Sequence, residues 1–347
     1  MSTALWVTPV SNLAGVARHV LDATTGGLPG WDVVVAAPEG ALLDALHDRG
    51  VAVLPTEMGE GVSTWTAVRR LRAAINKVKP QVVHSHLARA DLLSAAASAG
   101  LPTKLVSTEH GIAADRTLYN ANAVKATLKR ALHWARCQRT DAIIGVSRST
   151  CELVQSTWRP RARVVLIPNG IDRPVERKGE PGTRFLSLSR LSHEKNIHLV
   201  LEAFGHVQAS LPQISLTIAG DGPLREPLEQ QAASARLQNV TFPGHVCASE
   251  ALASHDVVVQ LSAWENASYT LLDAAAHGLG VVATPVGGNP EFLARDCLTE
   301  ARDPTRVSNL MMNQAKDLWR RPSLPENWPT VAGMKRGIVD VYEQVWR

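Results

Sequence analysis

Short β-branched apolar runs alternate with helix-patterned stretches along almost the whole of this 347-residue chain. A short run that is apolar throughout suits a strand buried on both faces. A helix between successive strands lets those strands pair in parallel. In the first half the strand candidates are Leu5–Thr8, Asp32–Ala37, Val51–Leu54, Val82–Ser85, Lys104–Thr108, Ala142–Val146 and Val164–Ile167. Val16–Ala23, Ala41–Arg49 and Ser63–Lys79 carry helical patterns between them. The expected class is therefore α/β, with doubly wound parallel sheets.

The alternation stops at Asp172–Gly182, which holds two prolines, two glycines and six charged residues without periodicity. Such a stretch reads as an interdomain linker. Strand candidates resume at Phe185–Ser189, Ser215–Ala219, Val240–Phe242, Asp256–Gln260 and Val281–Thr284. Two Rossmann-like domains follow, 1–172 and 173–330, expected to face a central cleft. A last amphipathic helix, Val331–Arg347, is expected to pack back on the first domain. In open α/β sheets, ligands sit outside the carboxyl ends of the strands.

Charge is uneven between the halves. Residues 1–172 carry 19 Lys+Arg against 13 Asp+Glu, and residues 173–347 carry 17 against 19, which points to an anionic partner for the first half. The N-terminus reads as an immediate strand and not as a signal peptide, and no apolar run reaches the roughly 18 residues of a spanning helix. Cys137, Cys151, Cys247 and Cys297 are far apart and form no C-x-x-C pair, which speaks against disulfides and suits the cytosol.

Several segments at strand exits carry chemistry. In Ser262-Ala-Trp-Glu265-Asn-Ala-Ser268-Tyr-Thr-Leu-Leu-Asp273, one carboxylate stands at a strand exit and a second lies eight residues on, inside a helix. A carboxylate can accept paired hydrogen bonds from sugar hydroxyls, and the helix start near Ser268–Thr270 suits a phosphate. In Arg190-Leu-Ser-His-Glu-Lys195, two cations stand between a strand and a helix; Arg grips two phosphate oxygens and Lys acts as a point charge. Ile167-Pro-Asn169-Gly170-Ile-Asp172, Ala219-Gly220-Asp-Gly222-Pro223 and Gly287-Gly288-Asn-Pro-Glu291 are turn signals. The pair Gly287-Gly288 reads as a place where backbone approaches a ligand.

In this order the segments resemble glycosyltransferase family 4, the retaining enzymes with two Rossmann-like domains. The resemblance runs over nearly the whole chain and is densest from Ile167 to Glu291. It implies that Arg190 and Lys195 hold the donor diphosphate and that Glu265 meets the donor sugar. The amides of Tyr269 and Thr270 would face the phosphate, and Val246 would hold the base by main-chain contacts. The E-x7-E motif stands here as Glu265-x7-Asp273, so the ribose partner is one methylene shorter than usual. The Glu-Gly-Phe-Gly that often follows the strand is replaced by Glu265-Asn-Ala-Ser268. In the first half, Gly15 belongs to the glycine-rich loop, whose first glycine is Ala14 here, and His110 to the strand-end histidine that contacts the sugar. The implied activity moves a hexose-type sugar from a nucleotide diphosphate sugar, UDP-sugar favoured, to a glycan or lipid-linked acceptor, with retention. A role in cell-envelope polysaccharide or glycoconjugate synthesis fits.

No cofactor and no nucleic-acid partner is expected, and no metal: there is no D-x-D element. The pair His84 and His86 sits on one strand face, but no third ligand follows at suggestive spacing. Segment 120–139 carries Lys125, Lys129, Arg130, Arg136 and Arg139 with Leu128, Leu132 and Trp134 and no acid. It reads as a basic amphipathic helix able to lie on an anionic membrane. The expected location is cytoplasmic, at the inner face of the cell membrane if that helix binds it. A sugar-nucleotide epimerase and a non-catalytic sugar-nucleotide-binding protein of the same fold stay open as alternatives. A dehydrogenase does not, since no G-x-G-x-x-G follows the first strand.

Overall fold

The computed structural model describes residues 1–59, 61–111, 123–174 and 180–347, with the helix but no side chains over 123–130. Two compact units divide the chain: Met1–Gly170 with Pro329–Arg347, and Ile171–Trp328. The division comes two residues ahead of the expected 172/173 because Ile171 already packs in the second unit's core with Leu324. Of the linker, residues 175–179 lie outside the described residues.

The first unit is one parallel sheet of seven strands: β1 (Ser2–Val7), β2 (Trp31–Ala37), β3 (Ala52–Pro55), β4 (Val82–His86), β5 (Lys104–Glu109), β6 (Ala142–Gly145) and β7 (Arg163–Leu166). Their order is β3-β2-β1-β4-β5-β6-β7, so the direction of winding reverses between β1 and β4. Helices α1 (Gly15–Thr24), α2 (Ala41–Asp48), α3 (Thr64–Val78), α4 (Ala88–Ala97), α5 (Ala123–Arg139) and α6 (Arg148–Trp158) make the crossovers. On β1, Ala4 and Trp6 enter one core while Leu5 and Val7 enter the other. Both faces of the central strand are thus buried, which is why its sequence does not alternate. Ser63 and Ser147 start α3 and α6 by accepting the amides of Thr66 and Thr150 at 3.2 and 3.1 Å.

The second unit has five parallel strands, β8 (Arg184–Leu188), β9 (Ser215–Ala219), β10 (Val240–Gly244), β11 (Val257–Gln260) and β12 (Gly280–Ala283), in the order β10-β9-β8-β11-β12. The reversal here lies between β8 and β11. Helices α7 (Ile197–Ser210), α8 (Arg225–Ser234), α9 (Ala248–Ser254), α10 (Tyr269–Ala276) and α11 (Pro304–Lys316) cover the sheet. Phe185, Val257 and Val259 face one core and Leu186 and Val258 the other.

The last helix, α12 (Val331–Trp346), belongs to the first unit. Met334, Ile338, Val341 and Tyr342 are buried there beside Ile167 and Trp31. Where the chain returns, Gly170 is pressed on it: a Cβ at Gly170 would lie 2.5 Å from the Thr330 carbonyl oxygen.

Candidate functional site

In the second unit the loops after β8 and β11 leave neighbouring strand ends at the point where winding reverses, the place where such sheets hold ligands. The β8 loop carries Arg190 and Lys195, and the β11 loop carries Glu265. Seventy residues separate Lys195 from Glu265 in sequence, yet their side chains form an ion pair, 20% and 13% exposed. Gln260 Nε2 and Ser262 Oγ both donate to the same carboxylate oxygen, Oε1, at 2.9 Å. Among the described residues none donates to Oε2. The carboxylate is held by one edge, with the other left for a ligand. Asn196 Nδ2 donates to the Leu261 carbonyl at 2.9 Å and the Ala263 amide to the Glu194 carbonyl at 2.7 Å, so the two loops are laced together.

Helix α10 begins beside this pair. Ser268 Oγ accepts the Leu271 amide at 3.4 Å and donates to Gln260 Oε1 at 2.9 Å. Thr270 Oγ1 donates to the Leu188 carbonyl at 3.5 Å, tying the first turn of α10 to the end of β8. The first i→i−4 bond runs from Leu272 to Ser268, so the amides of Tyr269 and Thr270 precede the intrahelical ladder. Asp273 is buried on the same helix. Arg190 is exposed, and among the described residues its side chain makes no hydrogen bond or ion pair. Val246 follows β10 and is 36% exposed.

The glycine turns do something the sequence did not suggest. Gly287 has φ +56°, and a Cβ there would lie 1.8 Å from the Glu265 carbonyl oxygen. The Gly288 amide donates to the Asn266 carbonyl at 2.6 Å. This turn approaches the chain's own Glu265 loop, where ligand contact was expected. Gly220 (φ +123°) likewise admits the Ser189 carbonyl, 2.0 Å from where its Cβ would be, and Gly222 admits Leu191 at 2.4 Å. The Gly220–Gly222 turn therefore supports the loop that bears Arg190 and Lys195 from behind. Gly15, by contrast, opens α1 with nothing within 4 Å of a Cβ position.

In the first unit His110 stands just past β5 in a group of histidines that sequence spacing did not reveal. β4 brings His84 and His86, α1 brings His19, and against Trp6 the His19 ring stacks, the His84 ring stands edge-on and the His86 ring tilts. His84 Nδ1 lies 2.6 Å from Tyr342 Oη on α12, and its Nε2 lies 2.7 Å from Thr108 Oγ1. His19 Nδ1 lies 3.1 Å from Asn169 Oδ1, and His86 Nδ1 lies 2.9 Å from His110 Nε2. Burial holds all four rings neutral: it brings His19 down to about 4 against the opposing hydrogen bond from Asn169, and pushes His84, His86 and His110 well below the ordinary histidine range. One ring nitrogen from each of His19, His86 and His110 lies within 4.8 Å of the others. The pair seen in sequence, His84 and His86, is thus not the group that converges. His84 is committed to Tyr342 and Thr108, and His19 and His110 come in from other elements.

Arg136 departs from its expected place on a basic surface. Its side chain is 1% exposed and pairs with Asp91 and, at 2.5 Å, with Glu109, the residue before His110. It also lies 4.7 Å above the Trp158 ring. Of the remaining segment, 120–122 and the side chains of Lys125, Leu128, Lys129 and Arg130 lie outside the described residues, while Leu132 and Trp134 are 45% and 55% exposed. Among the described residues no helix is long and apolar enough to cross a membrane.

Comparison with known proteins agrees with two Rossmann-like halves. Residues 14–173 match the model of Glycosyltransferase Family 4, and residues 169–308 match that of Glycosyl transferases group 1. Glycogen synthase of Mycobacterium tuberculosis is 28% identical over 324 residues, covering 82% of this chain and 77% of its own. The phosphatidylinositol N-acetylglucosaminyltransferase GPI3 subunit of Saccharomyces cerevisiae is 26% identical over 282 residues, covering 76% of this chain and 60% of its own. Among solved structures, Anabaena HepE in complex with UDP-glucose superposes with a TM-score of 0.80 at 18% identity, covering 99% of this chain and 98% of its own. Sucrose-phosphate synthase from Thermosynechococcus elongatus gives 0.73 at 14% identity, over 100% and 96%. The fold is that of two-domain glycosyltransferases with parallel sheets. The two family models together span residues 14–308, and the chain is a glycosyltransferase of the family 4 type.

Proposed function

We propose that this chain transfers a hexose-type sugar, with retention, from a UDP-sugar to a glycan or lipid-linked acceptor, with no metal required on the diphosphate. The observation that carries the reading is the contact of Lys195 with Glu265 at the carboxyl ends of β8 and β11. A cation for a diphosphate and an acid for sugar hydroxyls then lie side by side, as the two ends of one sugar–phosphate bond require. UDP-glucose in the Anabaena neighbour favours uridine.

Breaking that bond builds negative charge on the leaving diphosphate. Lys195, Arg190 and the first amides of α10 supply fixed positive groups for it. Glu265 orients the sugar through its uncommitted oxygen and Asp273 takes the ribose, while the family resemblance gives His110 a sugar contact. The acceptor attacks from the face the diphosphate leaves, and a donor phosphate oxygen takes the acceptor proton. Gly15 leaves space for the donor, and Val246 offers its main chain to the base. Leu132 and Trp134, with Lys125, Lys129, Arg130 and Arg139 of the same segment, support contact of the first unit with an anionic membrane at the cytoplasmic face, in which Arg136 takes no part.

A thermal-shift panel of UDP- and GDP-sugars, followed by turnover with lipid-linked acceptors and NMR of the product anomer, tests the reading. A UDP-sugar should raise the melting temperature most, with UDP released and the anomeric configuration kept. An isomerised nucleotide sugar without transfer would instead establish the epimerase. Binding without release of UDP across an acceptor panel would establish a non-catalytic protein. Co-sedimentation should need vesicles containing acidic lipid; equal binding to neutral vesicles refutes the membrane placement.

A further inference from the structure

We propose that the hollow between β3 and α3 of the first unit is a binding site for a saccharide that carries an anionic group. The cavity measures about 390 Å³, within the roughly 300–1,000 Å³ range of small-ligand pockets. It opens beside the carboxyl ends of β2 and β3: Glu39 stands just past β2, Pro55 ends β3 and Glu57 follows it. β3 is the edge strand, so the hollow is separate from the reversal between β1 and β4.

Its shape follows from one face of α3. Arg70, Ala73, Ala74 and Lys77 line it with the i, i+3, i+4, i+7 spacing of a single helix face. The two alanines leave space that longer side chains would fill, between cations about two turns apart. Glu39 and Glu57 line the same cavity. Among the described residues no ion pair joins these two acids to these two cations. Main-chain groups engage them instead. Glu57 Oε1 accepts the Glu39 amide at 3.0 Å, and Arg70 Nη1 donates to the Glu57 carbonyl at 3.4 Å. The loop bearing Glu39 is itself held, since a Cβ at the next residue, Gly40, would lie 2.9 Å from the Ser11 carbonyl oxygen. The charges thus ring a space instead of neutralising one another across it.

That pattern selects the ligand. Arg70 and Lys77 suit a phosphate or a carboxylate. Glu39 and Glu57 accept hydrogen bonds from hydroxyls and repel a ligand that is anionic throughout. Pro55 and the two alanines offer an apolar wall to the C–H face of a sugar ring. An anionic sugar meets all three demands. On the proposed transfer to a glycan, on which this role rests, the site holds a sugar unit of the acceptor beyond the one that reacts.

The test titrates full-length protein, without donor, with glucuronate, glucose 6-phosphate, glucose and inorganic phosphate, read by ligand-observed NMR saturation transfer. Glucuronate or glucose 6-phosphate should bind, the stronger of the two identifying the anion, and glucose and inorganic phosphate should each bind at least about tenfold more weakly. Ala73→Leu, which fills the hollow without changing charge, and Arg70→Gln should each weaken binding about tenfold, while Lys195→Ala in the other unit leaves it unchanged. Wild-type protein that binds neither anionic sugar overturns the proposal, as does inorganic phosphate that binds as well as they do. Binding retained by folded Ala73→Leu and Arg70→Gln proteins, or lost in Lys195→Ala, overturns it too. No step uses a UDP-sugar, so failure here leaves the transferase reading standing, and a missing UDP-sugar thermal shift sinks that reading alone.

Discussion

Replacing Arg136 by methionine should destabilise the first unit severely, for a reason that can be worked from three side chains. Arg136, Asp91 and Glu109 are 1%, 2% and 4% exposed, and one guanidinium faces both carboxylates. Ser85 Oγ donates to Asp91 at 2.5 Å. Burial pushes the Asp91 carboxyl up to about 7 even with Arg136 beside it, while the two acids hold the Arg136 guanidinium above its ordinary value against the opposing effect of burial. Removing the cation leaves two buried carboxylates without a counter-charge, which costs about 3–5 kcal/mol. For a unit of this size each kcal/mol moves the midpoint by about 2–4 °C, so the melting temperature should fall by roughly 6–20 °C. Urea denaturation at pH 7.5, with hydrogen exchange read on α4 and β5 peptides, measures the loss locally. The triple variant Arg136→Met, Asp91→Asn, Glu109→Gln removes every charge and should recover most of it, since a buried ion cluster is worth little against neutral groups of similar shape. A loss under about 1 kcal/mol in the single variant, or a triple variant no better than the single one, would refute the reasoning.

The same acid sets a pH dependence. The folded pKa of Asp91, about 7, lies above the ordinary value of 3.8, so its contribution to stability is lost as pH rises through 7. Wild type should lose about 1 kcal/mol between pH 6 and pH 8 that Asp91→Asn does not, and parallel pH profiles in urea melts would contradict this. Lys195→Ala should lower turnover about 100-fold or more, by the loss of one transition-state charge; near-wild-type turnover at saturating donor would end that role. Gly287→Ala would place a methyl 1.8 Å from the Glu265 carbonyl and displace the loop, and should cut turnover about tenfold or more with the unit still folded. Gly15→Ala meets nothing within 4 Å in the chain itself, so stability should hold in a thermal melt and only the donor KM should rise.

Both sheets were legible because a strand buried on two faces carries consecutive apolar residues, as Ala4–Val7 in β1 and Val257–Val259 in β11 do. That 331–347 forms a helix with one buried side was legible from Met334, Ile338, Val341 and Tyr342, while its packing on Ile167 and Trp31 is set by the fold. The motif residues around Arg190, Lys195, Glu265 and Asp273 stood out through the order of their segments, which resembles that of the family. What those residues touch could not. That Lys195 pairs with Glu265 depends on strand order, since only the β8/β11 reversal sets their loops side by side. Gly287 read as a ligand-facing turn and Gly220 as a plain turn, and only the folded chain reveals the carbonyls pressed on them. Arg136 counted as surface charge because helical periodicity over 120–139 says nothing about Asp91 and Glu109 on other elements.

The local pattern of side chains in this chain determined which segments become strands and helices, that there are two doubly wound units, and which loops carry the motif residues. Those properties follow from neighbours in sequence, through burial, periodicity and turn chemistry. Tertiary structure alone decided the partners: Lys195 with Glu265, Arg136 with two acids, and His19 and His110 with His86. Parallel crossovers bring together residues dozens of positions apart, and the order in which strands enter a sheet is not written in any short stretch of sequence.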